Sequence, residues 1–147
     1  MENRPFHSII AGVEELRAMF GEPSELVSSK TIGHLDRHCR EFIGMSPILF
    51  MATSDASGFC DVSPRGDAAG FVHVADDRHL VIPERPGNRR FDSLRNIMSN
   101  PRVGLIFVVP GLKETLRVNG TAMLIKDEEW LDRLAAQGKR PWLAIAV

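Results

Sequence analysis

The sequence predicts a mainly β, α+β fold: a small antiparallel β-barrel of about six strands with peripheral helices. Three observations point there. Short apolar or alternating runs recur between clusters of Gly, Pro, Asp and Ser. Successive runs are mostly joined by turns too short for a crossover helix, so they pair as antiparallel hairpins. One well-marked helix interrupts them in the middle of the chain.

The first thirty residues read as an N-terminal helical extension, and 31–147 as a single domain. Val13, Leu16, Met19 and Phe20 recur at helical spacing before Gly21 and Pro23 stop them, and Ser28-Ser29-Lys30 reads as loop. A second helix is predicted from Leu35 to Gly44, with Leu35, Cys39, Phe42 and Ile43 on one face. The period then shortens. Ile48 to Thr53 is a wholly apolar buried strand, Asp55-Ala56-Ser57-Gly58 a turn, and Phe59 to Arg65 its hairpin partner. Alternation puts Asp61, Ser63 and Arg65 on one face of that partner, and Cys60 and Val62 on the other.

A second hairpin joins Phe71–Ala75 to His79–Pro83 through Asp76-Asp77-Arg78. Arg89 to Ser99 is predicted to be a helix, with Asn88 as its N-cap and Phe91, Leu94 and Met98 as its buried stripe. Asn100-Pro101 ends it. Strands follow at Arg102–Val109 and Thr115–Ile125, the latter with a bulge expected at Gly120. Asp127 is placed to cap a closing helix through Trp130, Leu131 and Leu134, before an apolar terminal strand at Trp142–Val147.

Bulk properties narrow the function. With 18 basic and 19 acidic residues the net charge is −1, which gives no field to gather nucleic acid or an anionic membrane. No apolar run is long enough to span a bilayer or to act as a signal sequence, so a cytoplasmic protein is expected. Cys39 and Cys60 form no CxxC pair and read as buried free thiols of a reducing compartment. P-loop, GxGxxG and GxSxG motifs are absent. His34 and His38 have the spacing of a metal pair, but they lack the glutamate of HExxH and a third ligand, and read as two histidines on an amphipathic helix.

The stretch Arg85-Pro86-Gly87-Asn88-Arg89-Arg90 is more informative. A strand ends, a Pro/Gly turn follows, and a helix starts with guanidinium groups around it. Free backbone N–H groups and the positive helix end favour an anion, guanidinium forks suit phosphate oxygens, and Ser93 offers a hydroxyl. Solvated surface arginines are the bland alternative. Arg65 and Arg117 also lie inside strand patterns, where a buried unpaired charge would be costly.

Ser63-Pro64-Arg65-Gly66-Asp67, Gly70-Phe71-Val72, Ile82-Pro83-Glu84-Arg85-Pro86-Gly87-Asn88-Arg89-Arg90, Asp92-Ser93-Leu94, Asn96-Ile97, Asn100-Pro101-Arg102-Val103-Gly104-Leu105 and Leu116-Arg117-Val118-Asn119-Gly120 follow in order. This set resembles the pyridoxamine 5′-phosphate oxidase-like FMN-binding split-barrel family, in particular a subgroup of FMN-dependent enzymes, from about His34 onward. The resemblance implies a homodimer with FMN in clefts between subunits, a small-molecule substrate and oxidoreductase chemistry. It implies phosphate contacts from Arg65, Asn88, Arg89, Arg90 and Ser93, with Pro83 and Glu84 passing near the flavin ring. Asp67 belongs to the matching motif without an assigned role.

Subgroup members extend past the position of Val147 with aromatic and basic residues near the flavin, which have no counterpart in these residues. The substrate-binding pattern of pyridoxamine 5′-phosphate oxidase itself is not reproduced. The alternative reading is a non-catalytic flavin, haem or deazaflavin binding or sensing protein on the same fold.

Overall fold

The structure, a computed structural model, describes residues 5–85 and 89–147. The chain divides into two compact units, Met1–Gly33 and His34–Val147. In the first, helices α1 (Val13–Phe20) and α2 (Glu25–Ser28) bury none of their residues. Gly21, with φ +76°, closes α1. The α2 turn, capped by Ser24, was not foreseen in the sequence and ends where the expected loop Ser28-Ser29-Lys30 begins; the Ser24 hydroxyl accepts from the Val27 N–H.

The second unit is an antiparallel α+β split barrel of two four-stranded sheets. Its strands are β1 (Ile48–Ser54), β2 (Cys60–Gly66), β3 (His73–Val74), β4 (Leu80–Glu84), β5 (Arg102–Val108), β6 (Thr115–Thr121), β7 (Met123–Ile125) and β8 (Leu143–Ala146). The helices are α3 (Arg37–Met45), α4 (Asp92–Ser99) and α5 (Glu128–Arg133). One sheet runs β2-β1-β5-β6 and the other β3-β4-β8-β7.

The expected long strand from Thr115 to Ile125 splits at Ala122, so β6 pairs with β5 while β7 pairs with β8. The Ala122 N–H leaves the ladder to bond the Pro101 carbonyl at 2.7 Å, which lets the chain change sheets. Gly120 is no bulge. It keeps its ladder position opposite Val103, and a Cβ there would lie 2.9 Å from a Val147 methyl carbon.

Leu49, Met51, Leu105 and Phe107 from one sheet meet Leu80, Ile82 and Ile145 from the other in the main core, which also holds Leu35 and Ile43. A smaller cluster of Val81, Ala144, Leu131 and Leu134 lies with α5 on the far face of the second sheet. The matching outer face of the first sheet has no such cover: Phe50 is 36% exposed and Val62 64%. No described helix is long and apolar enough to cross a membrane.

Candidate functional site

Alternation along β2 produces one polar face. Asp61, Ser63 and Arg65 are half-buried, while Cys60, Val62, Pro64 and Gly66 are exposed on the other side. Cys60 is therefore an exposed thiol, not the buried one expected, and Cys39 is only partly covered; both are free. Across the gap, β4 is buried through Pro83 and delivers Glu84 at its end. Arg65 pairs there with Glu84, and both side chains are largely shielded from water. The Arg65 Nε atom is buried without a hydrogen-bond partner.

A second pair sits beside the first. The Arg85 Nε atom lies 3.1 Å from an Asp67 carboxylate oxygen, and Arg85 Nη2 donates to the Leu134 carbonyl at 3.0 Å. Asp67 itself is held by its N–H to the Pro47 carbonyl, and nearby the Gly70 N–H bonds the Ser46 carbonyl. Pro64, Arg65, Gly66, Asp67, Phe71, Pro83, Glu84 and Arg85 line one cavity of about 250 Å³. Arg65, Pro83 and Glu84 are thus brought together. Asp67 joins them, with a partner the sequence did not disclose.

The basic stretch departs from expectation. Asn88, expected to cap a helix starting at Arg89, lies outside the described residues. The helix begins at Asp92, and its N-cap is Phe91, with φ +57° and no side-chain cap. Arg89 also has a positive φ, +62°, so two left-handed residues flank Arg90 and hold both arginines ahead of the helix. Arg89 and Arg90 are exposed, and Arg90 pairs with Asp92 at 3.2 Å. The buried stripe is Ser93, Leu94 and Ile97; Phe91 and Met98 are 50% and 80% exposed. Phe91 lies ahead of the helix, and Met98 falls outside the arc of Ser93, Leu94 and Ile97 that packs against the strands.

Ser93 is buried against β2. Its oxygen lies 3.0 Å from the Ser63 hydroxyl and donates to an Asp61 carboxylate oxygen at 3.4 Å. A carboxylate only accepts, so the chain runs from Ser63 to Ser93 to Asp61. Further along α4, Asn96 donates to the Thr53 hydroxyl at 3.0 Å, and Asn100 to Ser54 at 2.9 Å. These bonds dock the helix on β1 and β2 and place its first turn beside the polar face that holds Arg65. Asp61 and Ser63 were the residues missed as site components, although alternation had put them on the face of Arg65.

Charge bookkeeping matters for any anion. Arg65, Arg85 and Arg90 each face a carboxylate of the same chain, whereas Arg89 has no partner among the described residues. The orphaned Arg65 Nε and the unpartnered Arg89 fit an anionic group such as a nucleotide phosphate. Among the described residues no cluster of three His, Cys, Asp or Glu side chains could hold a metal, and His34 and His38 are both exposed.

Comparisons agree with this fold. The sequence profile described as pyridoxamine 5′-phosphate oxidase matches residues 35–146. A solved putative pyridoxamine 5′-phosphate oxidase from Lactobacillus delbrueckii is 21% identical with TM-score 0.61, covering 79% of this chain and 90% of that one. HupZ of Group A Streptococcus is 18% identical with TM-score 0.59, covering 76% and 86%. A structure described as F420 reductase is 17% identical with TM-score 0.55, covering 74% and 90%. No curated protein matches. With its profile match spanning most of the chain and its two antiparallel sheets in split-barrel order, the chain belongs to the pyridoxamine 5′-phosphate oxidase family.

Proposed function

We propose that this protein is an FMN-binding flavoprotein and an oxidoreductase of the pyridoxamine 5′-phosphate oxidase-like class, working as a cytoplasmic homodimer on a small-molecule substrate. The supporting observations are the cavity between β2 and β4, where Arg65 Nε is buried and unsatisfied, and Ser93 at the start of α4, which is hydrogen-bonded to Ser63 on the same face of β2 as Arg65. In this reading Arg65, Asn88, Arg89, Arg90 and Ser93 hold the phosphate, and Pro83 and Glu84 border the ring. The bound flavin supplies hydride or electron transfer. The chain's own residues orient it, and Ser63, Ser93 and Asp61 form a hydrogen-bonded chain that fixes the helix start beside it.

The uncovered outer face of the β2-β1-β5-β6 sheet supports the dimer, because adjoining Ile48, Phe50, Ala52, Val62, Ile106 and Val108 would otherwise face water. A second reading is a non-catalytic protein on the same fold that holds a deazaflavin or haem; only its choice of a deazaflavin draws on the likeness to a structure described as F420 reductase.

The test is the absorption spectrum of the purified protein before and after reconstitution with FMN. Flavin bands and quenching of flavin fluorescence are expected. Their absence after reconstitution defeats the reading, and an intense Soret band or a deazaflavin spectrum favours the second. Arg89→Glu is expected to weaken FMN binding strongly by placing negative charge at the phosphate. Arg90→Glu acts less, since Asp92 already neutralises Arg90.

A further inference from the structure

Asp61, Ser63 and Arg65 share one face of β2, so a carboxylate, a hydroxyl and a guanidinium follow one another at steps of about 7 Å. Arg65 meets Glu84, but Asp61 meets no cation among the described residues. Its hydrogen-bond partner is the Ser93 hydroxyl, at 3.4 Å. Asp61 is half-buried and Ser93 only 5% exposed. A carboxylate in such a place, met by one long bond from a neutral hydroxyl, is poorly compensated.

That carboxylate also decides where the protons go. Asp61 only accepts, so the Ser93 proton points to it, and Ser93 in turn takes the Ser63 proton. Both hydroxyls spend their protons inside the chain, and neither has one left for an incoming anion. A phosphate oxygen that took the Ser93 proton at about 2.7 Å would lie within about 6 Å of the Asp61 carboxylate oxygen. Like charges at that separation repel appreciably in a half-buried site. The charge count agrees. Arg65, Arg89 and Arg90 are the guanidiniums assigned to the phosphate, and Glu84, Asp92 and Asp61 are the carboxylates among them. Glu84 and Asp92 each neutralise an arginine, which sets Asp61 against Arg89. The set is thus neutral before a phosphate monoester of roughly −1.5 to −2 enters it.

We infer that Asp61 is a specificity-determining residue of this site, an internal acid that competes with the ligand's phosphate monoester for Ser93 and holds down affinity for the phosphorylated flavin. This rests on the flavin-nucleotide reading above. An amide in place of the carboxylate keeps the shape and an acceptor oxygen for Ser93, and removes the charge alone.

The test titrates Asp61→Asn and the unaltered full chain with FMN and with riboflavin, which lacks the phosphate. FMN affinity is expected to rise roughly 10-fold or more, while riboflavin affinity stays level. An unchanged or lowered FMN affinity overturns the inference. An equal rise for both ligands also overturns it, since that marks a loosened cleft and not a relieved charge. If Asp61→Asn fails to fold, as read by circular dichroism, Asp61→Ser takes its place with the same outcomes. Failure of both overturns the inference, because the carboxylate then serves the fold. If neither chain binds a flavin, the flavin reading fails by itself, and inorganic phosphate becomes the probe. A phosphate-induced rise in Tm that is larger in Asp61→Asn supports the competing acid, and a rise no larger than that of the unaltered chain overturns it.

Discussion

Arg65 and Glu84 meet where the ends of β2 and β4 approach, and each limits what the other can do. Removing Glu84 leaves a largely shielded guanidinium without its counter-charge. Glu84→Gln should therefore cost about 1–3 kcal/mol of stability, read by urea unfolding. The same change frees Arg65, so affinity for FMN should rise as stability falls; a joint fall would remove Arg65 from the phosphate site. Gly70 makes a sharper steric case. Its φ is +79°, and a Cβ would sit 2.9 Å from the backbone oxygen of Gly44. Gly70→Ala should destabilise by more than about 1 kcal/mol, and a Tm unchanged within error would refute that account. At this scale strand alternation singled out Arg65, while Glu84 came only with the family resemblance, and neither foretold that the two would pair. The sequence could not pair Asp67 with Arg85, because partnership across eighteen residues depends on how two loops meet.

Helix α4 shows what local pattern can and cannot settle. Its end at Asn100-Pro101 was legible, since proline restricts the residue before it. Its start was not, because Arg89 and Phe91 adopt left-handed backbone that residue type does not announce, and Asn88 looked like an ordinary cap. Four side-chain bonds to β1 and β2 anchor the helix instead of a cap. Thr53→Val keeps the shape at a buried position but strands the Asn96 amide. It should cost about 1–2 kcal/mol and speed hydrogen exchange in α4 more than in β5. Helix α3 behaves conventionally: the Asp36 carboxylate accepts from the Cys39 N–H, and that bond holds its pKa below the ordinary value. A depressed carboxylate contributes above its unfolded pKa and is lost as pH falls through the lowered one. Exchange protection of the first turn of α3 should therefore fade only in acid below the usual carboxylate range, and Asp36→Asn should flatten the dependence.

The molecule as a whole places its covers unevenly. The far face of the β3-β4-β8-β7 sheet packs against α5, whereas the outer face of the other sheet presents apolar side chains and two arginines. Antiparallel pairing was readable from strand runs joined by short turns, and the barrel class followed from it. The change of sheet at Ala122 was not readable, because residues on both sides keep the same alternation and only a bond to Pro101 separates β6 from β7. Val62 offers the cleanest probe of the exposed face, since it is 64% exposed and touches none of the site pairs. Val62→Asp puts a charge beside Phe50 and Ala52 without entering the core, so the fold should persist while association fails. Light scattering should fall from twice the chain mass to 16.4 kDa, with circular dichroism unchanged. FMN affinity should drop with it, because a cleft completed by a second copy cannot survive in a monomer. A Val62→Asp monomer that binds FMN as tightly as the parent would show that one chain builds the whole site.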